Sequence, residues 1–456
     1  MLIDQLKKIV GSKGWTTDPA ELESYVTEWR GQVRGATPIV VAPADTGEVA
    51  AIVRLCAAQD VAIVPQGGNT GMCAGAVPDD SGNQVVLSLS RMNCIRNVDA
   101  VNFSMEVEAG CILEKIQKAA KKFDRYFALS LGAEGSCQIG GNLATNAGGV
   151  NVLRYGTARA QVLGLEVVLA DGTIIDSLRS LRKDTAGYDL KQLFIGSEGT
   201  LGIITAATLK LFPDPGEMST ALLALRSSGD AVRLLAHLQS ALPNGIEAFE
   251  LVSDFVFGLV KKHIPNSTMP FSESAPWYVL LETATGGEPE ILENILASAV
   301  DAVLIIDAVI AKNSSEAARL WRLRHSISEA ERAEGASLKH DISVPISAME
   351  EFLRRGDELI TRLAPNGQLV AFGHVGDGNL HYNVILPTEM NDGAQLTDAI
   401  YALATELGGS FSAEHGIGQT KRDYLTRYRS QAEVELMRTL KRAIDPGNIL
   451  NPGKVI

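Results

Sequence analysis

Two histidines flank a Gly-Asp-Gly turn in the stretch 372–383, FGHVGDGNLHYN. The residues before it (Gln368 to Ala371) and after it (Tyr382 to Leu386) are strand-like, so the stretch predicts a β-hairpin with Asp377-Gly378 at its tip. With those two as the loop, Gly376 faces Asn379, Val375 faces Leu380 and His374 faces His381. Directly opposed residues share a face with Cβ atoms roughly 4.5–5.5 Å apart, close enough for two imidazoles to converge on one ion. The geometry is conditional, because a loop one residue longer would break the pairing. A polar hairpin with two surface histidines is the plainer alternative. The chain has only seven histidines, and two opposed here favour a metal site.

Three glycine-rich segments point to a second chemistry. PQGGNTG at 65–71 directly follows a buried-looking strand, GSCQIGGNLATNAGG fills 135–149, and GSEGTLG fills 196–202. Glycines let the backbone take positive φ, and consecutive N–H groups can then point into one concavity suited to a pyrophosphate. Each segment alone reads as a tight turn or a close strand contact. Three in one domain favour a large phosphate-bearing cofactor. Neither GxGxxG nor GxxxxGK[ST] occurs, which excludes a Rossmann or P-loop site.

These residues need a scaffold, and 456 residues can supply two or three domains with large cores. With 46% hydrophobic and 21% charged residues, the composition is that of an ordinary soluble globular protein. A net charge of −13 argues against a nucleic-acid or anionic-membrane partner. An anionic substrate would then need a local cationic pocket. Cys56, Cys73, Cys94, Cys111 and Cys137 contain no CxxC pair, which fits reduced thiols and argues against disulfides, a zinc ribbon or an iron–sulfur cluster. The opening MLIDQLKKIVGSKGW lacks the features of a secretory signal and is too acidic for a transit peptide, and no apolar run reaches transmembrane length. The expected location is cytoplasmic.

A β-α-β pattern lies between Pro38 and Pro65, with Asp45 and Glu48 as a capping box. Strands follow at Val85–Leu89 and Phe103–Glu108, a helix at Leu113–Lys122, and a hairpin turning on Asp171-Gly172. Pro213-Asp214-Pro215-Gly216 breaks the pattern and marks a domain boundary. Beyond it, strands at Ala221–Leu225, Trp277–Glu282 and Leu304–Ala308 alternate with helices at 230–241, 289–300 and 315–334, an α+β sandwich. The expected domains are 1–215, 216–410 and a C-terminal segment 411–456.

PQGGNTG, GSCQIGGNLATNAGG and GYDLKQLFIGSEGTLGIIT together resemble the FAD-binding domain of the vanillyl-alcohol-oxidase-like flavoproteins. GHVGDGNLH followed by AEHGIG narrows the resemblance to the FAD-dependent 2-hydroxyacid dehydrogenases of that superfamily. It runs from about Thr37 to the NPGK tail. The resemblance implies an α+β fold: a split FAD-binding domain of two α+β subdomains, an antiparallel-sheet cap (substrate) domain, and a C-terminal helical segment packing back on the FAD domain. It implies cofactor contacts from Gln66, Gly67, Gly68, Asn69, Thr70 and Gly71; from Ser136, Gly140, Gly141, Asn142, Thr145 and Gly148; from Glu198, Gly202 and Ile203; and from Asn451. Some relatives tether FAD through a histidine in the first loop. Asn69 stands in that region here, so FAD is expected to be non-covalent.

The resemblance also implies a divalent metal, usually zinc, held by residues matching His374, His381 and Glu414, with His415 matching the general base. Two histidines and one glutamate leave an open coordination position, the pattern of catalytic zinc. Manganese, cobalt or iron accept the same ligands. Glu414 and His415 are adjacent, so one can ligate while the other stays free to take a proton; a solvated loop pair is the alternative.

A 2-hydroxy diacid needs cations for its second carboxylate. By resemblance, Arg324, Ser328 and Lys339 match residues holding that group, and Asn383 matches another substrate contact. Arg324 and Ser328 are four apart on the expected helix 315–334 and would share a face. The alternative is solvated charge, since these helices are rich in it. The implied reaction is oxidation of D-2-hydroxyglutarate, with D-malate beside it, to the 2-oxo acid. The C2 hydride would pass to flavin N5, and the electrons onward to an external acceptor, an electron-transfer flavoprotein or a quinone- or dye-type molecule. A homodimer is compatible with this reading. A D-lactate dehydrogenase or glycolate-oxidase-like subunit, a zinc hydrolase and a non-catalytic flavin-binding protein are the competing readings.

Overall fold

A computed structural model of the chain describes residues 2–284, 288–387 and 393–456. It divides into two compact units: 1–148, 155–214 and 414–456 form the first, and 149–154 with 215–413 the second. Segment 149–154, which the sequence assigns to the first domain, belongs to the second. Arg154 there pairs with the buried Glu247, and Leu153 packs against Gly376.

The first unit holds two main sheets. One runs Trp15–Thr16, Val40–Val41, Val85–Ser88, Ile63–Gln66, and its last three strands are parallel. Val40–Val41 and Val85–Ser88 are buried throughout, as unbroken apolar runs in a parallel sheet require. The helix Thr46–Ala58 is capped by Asp45, whose Oδ1 accepts from Glu48 N–H at 2.9 Å. The Glu48 carboxylate returns to Ala44 N–H (2.7 Å), one residue before the position a capping box would use. The other sheet is antiparallel, in the order Ile95–Asp99, Ser104–Glu108, Ile203–Lys210, Val162–Val168, Ile174–Ser177. Its last two strands form the hairpin expected at Asp171-Gly172.

The segment 414–456 completes this unit. Ser430 and Glu433 form a capping box on the helix Gln431–Ile444. Beyond it the chain runs beside Ile63, which donates to Ile449 O (2.7 Å) and accepts from Asn451 N (2.8 Å). Buried Lys441 holds the turn between, donating from Nζ to Thr200 O (2.9 Å), Leu450 O (2.7 Å) and Asp445 Oδ2 (2.5 Å). Asp445 in turn accepts from Ile449 and Leu450 N–H.

The second unit is an antiparallel sheet ordered Asp307–Ile310, Met218–Leu225, Trp277–Ala284, Ile246–Ser253, Gln368–Gly373, Asn379–Ile385, with Ser337–Leu338 and Asp341–Ser343 both on the last strand. Helices Asp254–His263, Ser314–His325 and Ile327–Glu334 pack on one face through Val256, Val260, Leu320, Leu323 and Ile327. Two features depart from expectation. Ile246–Ser253, in the middle of the sheet, has no counterpart in the strands expected from sequence, because its two glutamates obscure the apolar run IEAFELVS. The helix expected over 315–334 is two helices meeting at Ser326, which ends one and starts the next. Arg324 and Ser328 therefore lie on different helices. No described helix is long and apolar enough to cross a membrane.

Asp445→Ala would leave the Lys441 charge buried without its anion. Such broken buried pairs cost about 3–5 kcal/mol. Urea unfolding of this variant should show a loss of that size; a midpoint equal to wild type would show that the pair does not anchor the tail.

Candidate active site

The histidine hairpin is present with a longer loop than expected. Phe372 pairs with His381 and Ala371 with Tyr382, so His374 is not directly opposite His381. Val375–Asp377 form a 3-10 turn, and Gly378 follows with φ of 84°. Asn379 N–H donates to His374 O (3.2 Å), which makes the connection four residues rather than two. Asp377 explains the difference: its Oδ1 accepts from Asn379 N–H (3.1 Å), capping its own turn instead of sitting at a two-residue tip. The register slips by two, and strand side chains alternate with a period of two, so both histidines keep the same face. Their ring centroids lie 5.9 Å apart at 75°.

Two buried carboxylates organise the groups around the hairpin. Glu250, on the central strand, is fully buried. Its Oε1 meets His374 Nδ1 at 2.5 Å, and its Oε2 accepts from Arg324 Nε at 2.8 Å. Burial by itself would raise this carboxyl; the facing His374 and Arg324 outweigh burial and hold it at about 2. With Nδ1 engaged by Glu250, Nε2 is the His374 nitrogen that could ligate an ion. Glu331 repeats the pattern: fully buried, it contacts Lys339 and accepts from Asn383 Nδ2 (3.1 Å). A third carboxylate, Asp341, is paired in register with His381, accepts from Asn379 Nδ2 (2.9 Å) and lies 3.8 Å from His381 Nδ1. The second unit thus gathers His374, His381, Arg324, Lys339 and Asn383, whereas Ser328 is exposed on the next helix. Glu250, Glu331 and Asp341 have no place in the sequence-derived site. An acid inside an otherwise apolar strand, as in FELV and HDISV, is the signal that could have found two of them.

In the first unit the three glycine-rich segments surround a cavity of about 130 Å³. Residues 66–71, Gly140, Gly141, Asn142, Thr145, Glu198, Gly202, Ile203 and His415 line it. Ser136, Gly148 and Asn451 stand off it. Gly148 lies against Glu414, where a Cβ would be 2.6 Å from Oε1. The Asn451 amide donates to Gly75 O (2.9 Å) and Glu198 O (2.7 Å). Gln66 and Asn69 also spend their amide donors on main chain: Gln66 on Tyr25 O and Ala76 O, Asn69 on Ser24 O and Thr27 O. These bonds hold the first loop in shape. Gln138 Oε1 and Asn142 Oδ1, by contrast, are buried with no hydrogen-bond partner among the described residues. A cavity with orphaned polar atoms and glycine-rich walls fits a large polar cofactor.

Two family models match in succession: the FAD binding domain over residues 37–177, and the C-terminal domain of FAD linked oxidases over residues 214–455. The chain belongs to the FAD-linked oxidase family. It is similar to D-2-hydroxyglutarate dehydrogenase, mitochondrial, of Rattus norvegicus, 41% identical over 96% of this chain and 82% of that protein. It is likewise similar to D-2-hydroxyglutarate dehydrogenase of Xanthomonas citri pv. viticola, 40% identical over 99% of this chain and 96% of that one. Among solved structures, p-cresol methylhydroxylase with substrate bound matches with a TM-score of 0.77 at 16% identity, covering 100% of this chain and 96% of that chain. That likeness gives the fold: this FAD-linked oxidase shares the α+β architecture of p-cresol methylhydroxylase.

Gly68 joins two walls of this cavity, since a Cβ there would stand 2.3 Å from Ser136 O and 3.0 Å from Cys137 Cα. Backbone cannot yield cheaply, so Gly68→Ala should separate the first two glycine segments. We expect its flavin-to-protein absorbance ratio after purification to fall to a small fraction of wild type. A full flavin complement would show that this contact does not shape the cavity.

Proposed function

We propose that this FAD-linked oxidase oxidises D-2-hydroxyglutarate, and D-malate beside it, to the 2-oxo acid, with non-covalent FAD, a divalent metal and an external electron acceptor. The observation that carries the proposal is the pair of carboxylate-anchored cations, Arg324 on Glu250 and Lys339 on Glu331. Two fixed cations suit a substrate with a carboxylate to spare, and so favour a diacid over a monocarboxylate such as lactate. The two dehydrogenases at about 40% identity support the same choice.

Charge supports a metal. Glu250, Glu331 and Asp341 place three carboxylates among the site residues, against the guanidinium of Arg324 and the ammonium of Lys339. A dianionic substrate deepens that imbalance, and a divalent cation offsets it. His374, His381 and Glu414 would hold the ion. The Glu250 contact at Nδ1 is the carboxylate–histidine arrangement that orients a metal ligand.

When bound, FAD supplies the two-electron acceptor and the metal a Lewis acid for the substrate oxygens. The remaining work falls to the chain. Arg324 and Lys339 bind the distal carboxylate, and Asn383, oriented by Glu331 and by His340 N–H (3.0 Å), helps place the substrate. His415, at the wall of the flavin cavity, accepts the proton of the 2-hydroxyl on a ring nitrogen as C2 is oxidised.

Anaerobic mixing with a panel of D- and L-2-hydroxy acids tests this reading. D-2-hydroxyglutarate should bleach the flavin, and the L isomers should not; bleaching by D-lactate alone would move the assignment to the monocarboxylate enzymes. His415→Asn should keep its flavin while its reduction rate falls by roughly 10²–10⁴-fold, the usual worth of a general base. Near-normal reduction would remove His415 from that role. Chelation should cost on the order of 10²-fold in rate or more, since such an ion supplies several kcal/mol. Full activity in enzyme verified free of metal would exclude a required ion.

A further inference from the structure

We propose that Glu198 is a positioning residue for His415: its carboxylate fixes the backbone of the loop that carries the imidazole and so sets where that ring stands at the flavin cavity. The proposal rests on His415 acting as the base.

Two consecutive N–H groups converge on this one side chain. Ile417 N–H donates to Oε1 at 2.7 Å and Gly418 N–H to Oε2 at 2.8 Å. A carboxylate is acceptor-only at both oxygens, so it satisfies both donors; an amide would turn an NH₂ towards one of them. An acid at this enclosed position comes at a cost, because burial pushes the Glu198 carboxyl up, against the pull of the two N–H bonds. The identity of the side chain therefore follows from the loop it holds. Gly416, next to His415, has φ of 75°, and a Cβ there would stand 2.7 Å from Glu198 Oε1. The loop presses onto the carboxylate as closely as a glycine allows.

The opposite side of the loop is held as firmly. Gln419 N–H donates to Cys73 O (2.9 Å), and the Gln419 amide to Ala74 O (3.1 Å) and Val77 O (2.8 Å). Val455 N–H donates to Gly418 O (3.1 Å). Glu198 is itself immobilised. Its own N–H donates to Ala144 O (2.8 Å), and its carbonyl accepts from Asn451 Nδ2 (2.7 Å). Mechanical constraint thus passes from the second and third glycine segments through Glu198 to Ile417–Gly418, two and three residues beyond His415. The Glu198 oxygens are engaged by main-chain donors, which is the signature of a loop clamp.

The test uses wild-type holoenzyme and its Glu198→Gln and Glu198→Ala variants, each with flavin content verified. Amide exchange at Ile417 and Gly418 should accelerate in the order wild type, Gln, Ala. The limiting rate of anaerobic flavin reduction by D-2-hydroxyglutarate should fall in the same order, towards 10²-fold for Ala, the scale set by a misplacement of about 1 Å. KM should move much less than kcat. Loss of flavin in place of loss of rate would assign Glu198 to cofactor binding and overturn the proposal, as would wild-type reduction rates in both variants. Gly416→Ala supplies a second route if Glu198→Ala is insoluble, since it disturbs the same contact with the carboxylate present. In soluble variants, Gly416→Ala should cost less in the Glu198→Ala background, where the facing oxygens are gone, than in wild type; additive effects would show that the two do not interact. Exchange needs no substrate. If D-2-hydroxyglutarate fails to bleach wild type, the proposed substrate fails while the exchange data still decide whether Glu198 clamps the loop.

Discussion

The Glu250 carboxylate, enclosed between Arg324 and His374, is the interaction on which the second unit's arrangement turns. An ionised carboxylate in a sheet interior is tolerable only while neighbouring charges answer it. Here the answer comes from two directions, a helix and a hairpin, which are thereby tied to the central strand and to each other. Removing one partner of such a pair is far more costly than the pair is stabilising, so the three elements are fixed as a group. Glu331 performs the same service between Lys339 and Asn383. The resulting site is built from opposed charges whose positions are set before any ligand arrives, which is the condition for electrostatic preorganisation.

The first unit reaches its shape by other means. Around its cavity the polar side chains of Gln66, Asn69 and Asn451 are turned to backbone carbonyls, and glycines bring main chain against main chain. The walls leave amide oxygens, Gln138 Oε1 and Asn142 Oδ1, without a partner among the described residues to meet a cofactor.

Much of this was legible from the residues alone. The glycine segments, the Asp171-Gly172 hairpin and the break at Pro213–Gly216 are short-range signals, and local chemistry decides them. The histidine hairpin was legible as a hairpin, but its register hung on whether Asp377 would serve as a tip residue or cap its own turn, a choice that differs by one hydrogen bond. The strand Ile246–Ser253 was illegible for the opposite reason. Its glutamates read as surface, and only the distant Arg154, Arg324 and His374 make them interior. The split at Ser326 likewise has no proline or glycine to announce it. Residues whose role is to satisfy a partner far along the chain carry no local mark.

The order of the segments has a consequence for biosynthesis. The first unit draws on residues 414–456, and Ile63 finds its backbone partners only at Ile449 and Asn451. A ribosome delivers the entire second unit, 149–154 and 215–413, before those partners exist. During that interval the edge strand Ile63–Gln66 and the glycine loop beyond it must wait with one side unpaired. Contacts of such long sequence separation also form slowly. The nascent chain is thus exposed to mispairing and aggregation until residues 449–451 emerge, and the cavity with His415 in its wall can be finished only after they have.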